Sequence, residues 1–180
     1  MLIEALKEIK KAINVAIPEP TFDFGYAALP TNQAGVTLSV LNLKEEPTLK
    51  NNAYSRVNNT SLKTEYFNPY VYLNVYLLFC STRTPYLTAV EDIAKIIRKL
   101  QEQSTFSVTY GPDIYKINLS IYSPTFEDMN HIWGVLGGKV YPNVIYIMRV
   151  AELKSEKPVT TGDGVIENIG QKYNVIQPKQ

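Results

Sequence analysis

The sequence predicts an α+β fold: a single domain whose mixed, largely antiparallel sheet of about six strands packs against three helices, followed by an extended C-terminal arm. Three observations predict it. In FNPYVYLNVYLLFC, residues 67–80, Val71, Leu73, Val75, Leu77 and Phe79 alternate with Tyr70, Tyr72, Asn74 and Tyr76, the period of a strand with opposed faces. Two stretches carry helical spacing of apolar residues instead: the N-terminus (Leu2, Leu6, Ile9, Ile13, Ile17) and the segment after Thr84 (Tyr86, Val90, Ile93, Ile97, Leu100). Between and beyond them lie further alternating runs bounded by Gly and Pro.

Composition narrows the class. A chain of 180 residues with 45% hydrophobic residues suits one domain with a sizeable core. A formal net charge of +1 without a clustered Lys/Arg run gives no electrostatic footprint for nucleic acid, so no nucleic-acid partner is expected. The single Cys80 excludes an internal disulfide, and with one histidine it makes no Cys/His zinc site; no metal and no cofactor are expected. Pro69, Asn68 and Asn74 interrupt an apolar run already shorter than the roughly 20 residues of a spanning helix, so no direct membrane insertion is expected. MLIEALKEIKKAI is amphipathic and charged, unlike a secretory signal, which fits a cytoplasmic origin.

In chain order, residues 2–16 read as a helix ending before Pro18. Phe22, Phe24 and Tyr26 alternate in a short strand ending near Pro30, and Val36, Leu38 and Val40 begin a strand over 35–44. Residues 45–65 turn polar and read as a long loop or irregular hairpin, a length associated with binding. After the 67–80 strand, Thr84 has the chemistry of an N-cap with Pro85 at the first helical position. TFSVTY (105–110) and IYKINLSIYS, joined through Gly111-Pro112-Asp113, make a hairpin with one polar face. Thr125 and Asp128 approximate a capping box for a helix through Phe126, Met129, Ile132, Trp133 and Leu136, which stops at Gly137-Gly138. Val140–Leu153 is the last long strand; residues 1–153 form the domain and 154–180 the arm. That arm is polar except for paired apolar residues, and either packs on its own domain or adds to a neighbour's sheet edge.

The motifs weigh against chemistry. GVLGGKV (134–140) superficially resembles a phosphate loop, but its spacing is wrong and its glycines sit at a helix C-terminus, whose dipole repels phosphate. His131 lies off the Phe126–Met129–Trp133 stripe and is expected at solvent or an interface, while Cys80, at a strand end, is expected to be a buried thiol. Glu91, Asp92, Glu127 and Asp128 lie near helix starts, where they satisfy backbone donors. No catalytic residues are assigned, and no enzyme is expected.

Three segments carry a resemblance. Pro69–Leu78 is similar to a strand of the form "pplyLdLhYLl"; Phe126–Trp133 is similar to "tleelsrLWsal"; Tyr141–Tyr146 is similar to "pYrpSvaY". LNLKEEPTLKNN likewise resembles a strand followed by an acidic-Pro-x-Leu-Arg-Asn segment, with Lys50 in place of arginine. These motifs, of which the Trp133 to Tyr146 block is the most specific, mark a domain-of-unknown-function family. That family forms the N-terminal part of tail terminator, or cap, proteins in contractile injection systems of the antifeeding-prophage and virulence-cassette type. The resemblance covers roughly residues 2–153.

It implies a non-enzymatic subunit of a phage-tail-like particle that assembles in the bacterial cytoplasm. The subunit forms a ring, expected to be a hexamer, and caps the tube and sheath at the end distal to the baseplate. Its partners would be its own copies, the sheath and the inner tube. Sheath subunits of such particles join through exchanged strands, so Val165, Ile166, Ile169, Tyr173, Val175 and Ile176 in the arm are the candidate partner contacts. The alternative is a non-enzymatic adaptor with a tyrosine-rich sheet surface.

Overall fold

A computed structural model describes residues 1–18, 21–28, 35–46, 54–58, 60–67, 71–153 and 160–164. The fold is α+β. Residues 1–50 with 71–153 make one compact unit, and 51–70 with 154–180 a second. The first unit contains helices α1 (Leu2–Asn14), α2 (Tyr86–Glu102) and α3 (Phe126–Val135). Its strands are β1 (Phe22–Phe24), β2 (Val36–Glu45), β5 (Val71–Ser81), β6 (Thr105–Tyr110), β7 (Asp113–Tyr122) and β8 (Asn143–Leu153). The second contains β3 (Tyr54–Asn58), β4 (Lys63–Phe67) and β9 (Thr160–Gly164).

In the first unit the sheet order is β1-β2-β5-β8-β7-β6, with β1 parallel to β2 and every other pair antiparallel. The expected central strand is central. Its odd residues Val75, Leu77 and Phe79 are fully buried, facing α1 and α2 together with Leu38, Met148, Ile117, Leu119 and Val108. Helix α1 buries Ala5, Ile9 and Ile13 on that face; Ile9 and Ile13 belong to the stripe the sequence spacing implies, while Leu2 and Leu6 are partly buried beside them. Phe79 anchors it, stacking on Phe22 at 6.3 Å and meeting the Tyr146 ring edge-on at 5.9 Å.

Helix α2 is turned from its expected orientation. Its buried row is Ala89, Asp92, Ile93, Ile96 and Leu100, while Tyr86 is 69% and Val90 41% exposed. The cause is Asp92. Its carboxylate, 1% exposed, takes both oxygens to Arg83 Nη1 at 3.1 and 3.2 Å and accepts a hydrogen bond from the Ser81 hydroxyl at 3.3 Å. It is therefore part of a buried clamp between α2 and the end of β5, not a surface carboxylate at a helix start. Thr84 is not the cap: Pro85, extended at ψ 164°, precedes the first helical residue Tyr86, and no side chain caps the helix. Gly35, at φ +81°, lies where an added Cβ would sit 2.6 Å from Arg83 Cγ, so the clamp needs a glycine there.

The β1 expectation also needs correction. Phe22 is buried, but Phe24 is 38% and Tyr26 79% exposed, because β1 pairs only with Val36–Leu38 and its chain then leaves the sheet. Lys10 Nζ holds Asp23 at 2.7 Å, and that hydrogen bond keeps the Asp23 carboxyl below the usual carboxylate range.

In the second unit the polar 45–65 stretch yields a regular hairpin, Tyr54–Asn58 paired with Lys63–Phe67. Its turn is built by Asn58, whose Oδ1 accepts from the Thr60 and Ser61 N–H groups while its Nδ2 donates to Glu65. Strand β9 adds to β4 antiparallel, so the first part of the C-terminal region pairs within its own chain. The candidate contacts Val165, Ile166, Ile169, Tyr173, Val175 and Ile176 lie outside the described residues.

Candidate functional site

The sheet's second face is only part covered. Leu78, Cys80 and Ile145 form a smaller core with Trp133 and Ala27, against which Met129 and Ile132 of α3 and Leu136 just beyond it pack. Helix α3 forms as its sequence suggests at both ends. Thr125 Oγ1 accepts from the Asp128 N–H at 3.1 Å and donates to Asp128 Oδ2 at 2.8 Å; at the other end Gly137 and Gly138 adopt positive φ, and the Gly138 N–H reaches the Trp133 carbonyl at 2.7 Å. Phe126, expected on the packed stripe, is 96% exposed, since the first residue of the helix precedes the turn that touches the sheet.

Beside α3 an open cleft of about 540 Å³ remains. Its floor is apolar, made by Leu41, Ile132, Leu136 and Ile145. Its rim is polar, with Asn42, Lys44, Tyr76, Tyr122, Asp128 and His131. A bulge in β2 between Val40 and Asn42 brings this about: Leu41 is the extra residue and packs on the α3 core, while Asn42 falls opposite Tyr76. Tyr76, one of the tyrosines on the even face of β5, meets Tyr122 of β7 edge to face at 5.3 Å on this surface.

Asp128 is engaged by Thr125, whereas Lys44 has no ion-pair partner among the described residues. His131 is exposed at the rim, as its position off the stripe suggested. Cys80 is buried, and desolvation pushes its thiol up to about 11, leaving roughly one thiolate in ten thousand at pH 7. Burial also raises Tyr146. Among the described residues no group of three or more His, Cys, Asp or Glu is placed to hold a metal ion, and no helix is long and apolar enough to cross a membrane. Sequence reasoning missed Lys44 and Leu41 as site residues; the only signal for them was that apolar alternation in β2 slips after Val40.

This architecture has known counterparts. The family model described as the Pvc16 N-terminal domain matches residues 1–166. The chain belongs to that family. The Pvc16 N-terminal fold here is also similar to two structures solved by cryo-EM. One is the sheath/tube terminator of an extracellular contractile injection system, PVC, in its extended state: TM-score 0.69 and 11% identity, covering 100% of this chain. The other is the anti-feeding prophage cap, a tube-terminating cap: TM-score 0.67 and 12% identity, covering 96% of this chain. At such identities the likeness is one of fold. This chain spans under two thirds of the length of those proteins, 66% and 62%. A comparison with curated proteins finds no match.

Proposed function

We propose that this Pvc16 N-terminal domain chain is a structural, non-enzymatic subunit that caps the distal end of the tube and sheath of a contractile injection system, assembling as a ring of six that ends polymerisation. The observation that carries the reading is the match of the whole chain, at TM-score 0.69, to a sheath/tube terminator. Membership of the family over residues 1–166 supports it independently of shape. The surface chemistry agrees: the open cleft combines an apolar floor with a rim suited to another protein's backbone and side chains. In this reading its partners are its own copies, the sheath and the inner tube; neither nucleic acid nor membrane is a partner, and assembly takes place in the bacterial cytoplasm.

Light scattering of the purified chain over a concentration series, followed by negative-stain imaging with and without tube and sheath, tests it. Closed rings of about six copies seated at one tube end are the expected result. Removing the gene should give particles of uncontrolled length. A strict monomer that never seats on tubes, with particle length unchanged on gene removal, would overturn the reading. It would favour the second one, a non-enzymatic adaptor, for which the Tyr76–Tyr122 pair in the cleft provides the surface.

A further inference from the structure

The two edges of the six-stranded sheet differ in kind. Strand β6, at one edge, hides Phe106 and Val108 and turns Thr105, Ser107 and Thr109 to solvent, so its margin is polar. At the other edge β1 covers only Val36–Leu38 of β2, and the Ser39 hydroxyl donates to the Gly25 carbonyl where β1 ends. From Val40 to Lys44 no strand pairs with the outer side of β2 among the described residues. The Leu43 N–H donates to the neighbouring Asn42 Oδ1, at 2.8 Å. An edge that merely has to resist aggregation is blunted by charge and a bulge. This one has the bulge, yet it keeps Val40 43% and Leu43 49% exposed on one face and opens into the α3 cleft, through Leu41, Asn42 and Lys44, on the other. Apolar receptors on both sides of an open edge are what an added strand uses: its backbone pairs, and its alternate side chains enter opposite pockets.

We propose that the outer edge of β2 from Val40 to Lys44 receives residues 165–169 of a second copy of the chain as an added strand. The segment VIENI fits the receptors by alternation. With Glu167 over Lys44, the cation that lacks a partner among the described residues, Val165 and Ile169 share its face, and the one lying two positions toward Asn42 covers the cleft floor of Leu41, Ile132 and Leu136. Ile166 then falls on the other side, against Val40 and Leu43. The residues immediately before the segment already pair as a strand, β9 on β4, and the five residues of the segment itself span about 17 Å when extended. The inference rests on the proposal that copies of the chain assemble with one another.

Two full-length variants, each adding one cysteine to the native Cys80, test it: Leu43→Cys in one population and Asn168→Cys, on the same face in the proposed pairing and with a distinguishing mass tag, in the other. They are mixed under assembly conditions and treated with a short bismaleimide; Cys80, buried and protonated, does not compete. A link joining the two variants is expected, roughly two- to fivefold weaker when both carry Lys44→Glu and restored when both also carry Glu167→Lys, as for an exposed ion pair. A link found only within single chains of a variant carrying both added cysteines overturns the proposal by returning the segment to its own chain. Absence of any link, or one indifferent to these charge changes, also overturns it. Rings that form without the link would remove this inference while leaving the terminator reading standing.

Discussion

Replacing Arg83 with alanine should destabilise the six-stranded unit far more than its position outside any helix or strand suggests. Asp92 is 1% exposed, and its partners are the Arg83 guanidinium and the Ser81 hydroxyl. Without Arg83 a carboxylate stays buried beside a single hydroxyl at 3.3 Å. Breaking a buried pair by removing one partner costs about 3–5 kcal/mol, nearly all of it the stranded charge. The Arg83 side chain is 38% exposed, so water reaches the pair from its side, and the low end, about 3 kcal/mol, is the expected loss. In urea, at a slope of about 2 kcal/mol/M, that moves the midpoint by roughly 1.5 M. Fluorescence of the single tryptophan, Trp133, buried in the same unit, reports the transition. The reasoning has a built-in control, because adding Asp92→Asn to Arg83→Ala removes the stranded charge and should recover at least half the loss. A midpoint that Arg83→Ala moves by under about 0.3 M, or a double variant no more stable than Arg83→Ala alone, would show that no buried charge is being held.

Gly35→Ala should cost about 2 kcal/mol, from a left-handed backbone and a Cβ 2.6 Å from Arg83 Cγ, and less when combined with Arg83→Ala, which clears the collision; additive losses in a urea double-mutant cycle would contradict this. Thr125→Ala should lower stability by about 1 kcal/mol through loss of the cap on α3, and Thr125→Ser should restore most of it, both read from urea midpoints. Cys80, its thiol pushed up to about 11 by burial, should react with iodoacetamide roughly a hundredfold more slowly in the folded chain near pH 7.5 than after unfolding. The sign for stability follows: a raised thiol favours the fold fully below the unfolded value and loses that contribution as pH climbs towards 11, so Cys80→Ala should flatten the alkaline limb of the stability profile. Trp133→Phe should cost only packing, about 1 kcal/mol by circular dichroism melts, because the indole Nε1 is buried without a hydrogen-bond partner among the described residues.

How much was legible in the sequence follows from which interactions are local. Strand β5 showed itself by alternation because both its faces meet other residues along most of its length, and α1 by its stripe. Thr125 and Asp128 cap α3 across three residues, a contact the chain cannot fail to offer. The 45–65 stretch hid a hairpin because its strands carry polar residues and the third strand that completes the sheet, Thr160–Gly164, lies about 100 residues further on. The α2 stripe was misread by one row because Asp92 counted as polar and outward, and only Arg83 and Ser81, brought together at the end of β5, make its burial possible.

The cleft shows the same division. Its members were visible as types, a tyrosine-bearing strand, a capped helix with one histidine and a lysine after an alternating run, but they come from β2, β5, β7, α3 and β8. By itself the sequence determined the fold class, the central strand, the helices' existence and the family likeness, since these rest on periodicity and short motifs. Only the tertiary structure decided which strand edges stay open, where the β2 bulge turns Leu41 into the cleft and which charge is buried. Those depend on partners distant in the chain, and no local pattern records the register at which they meet.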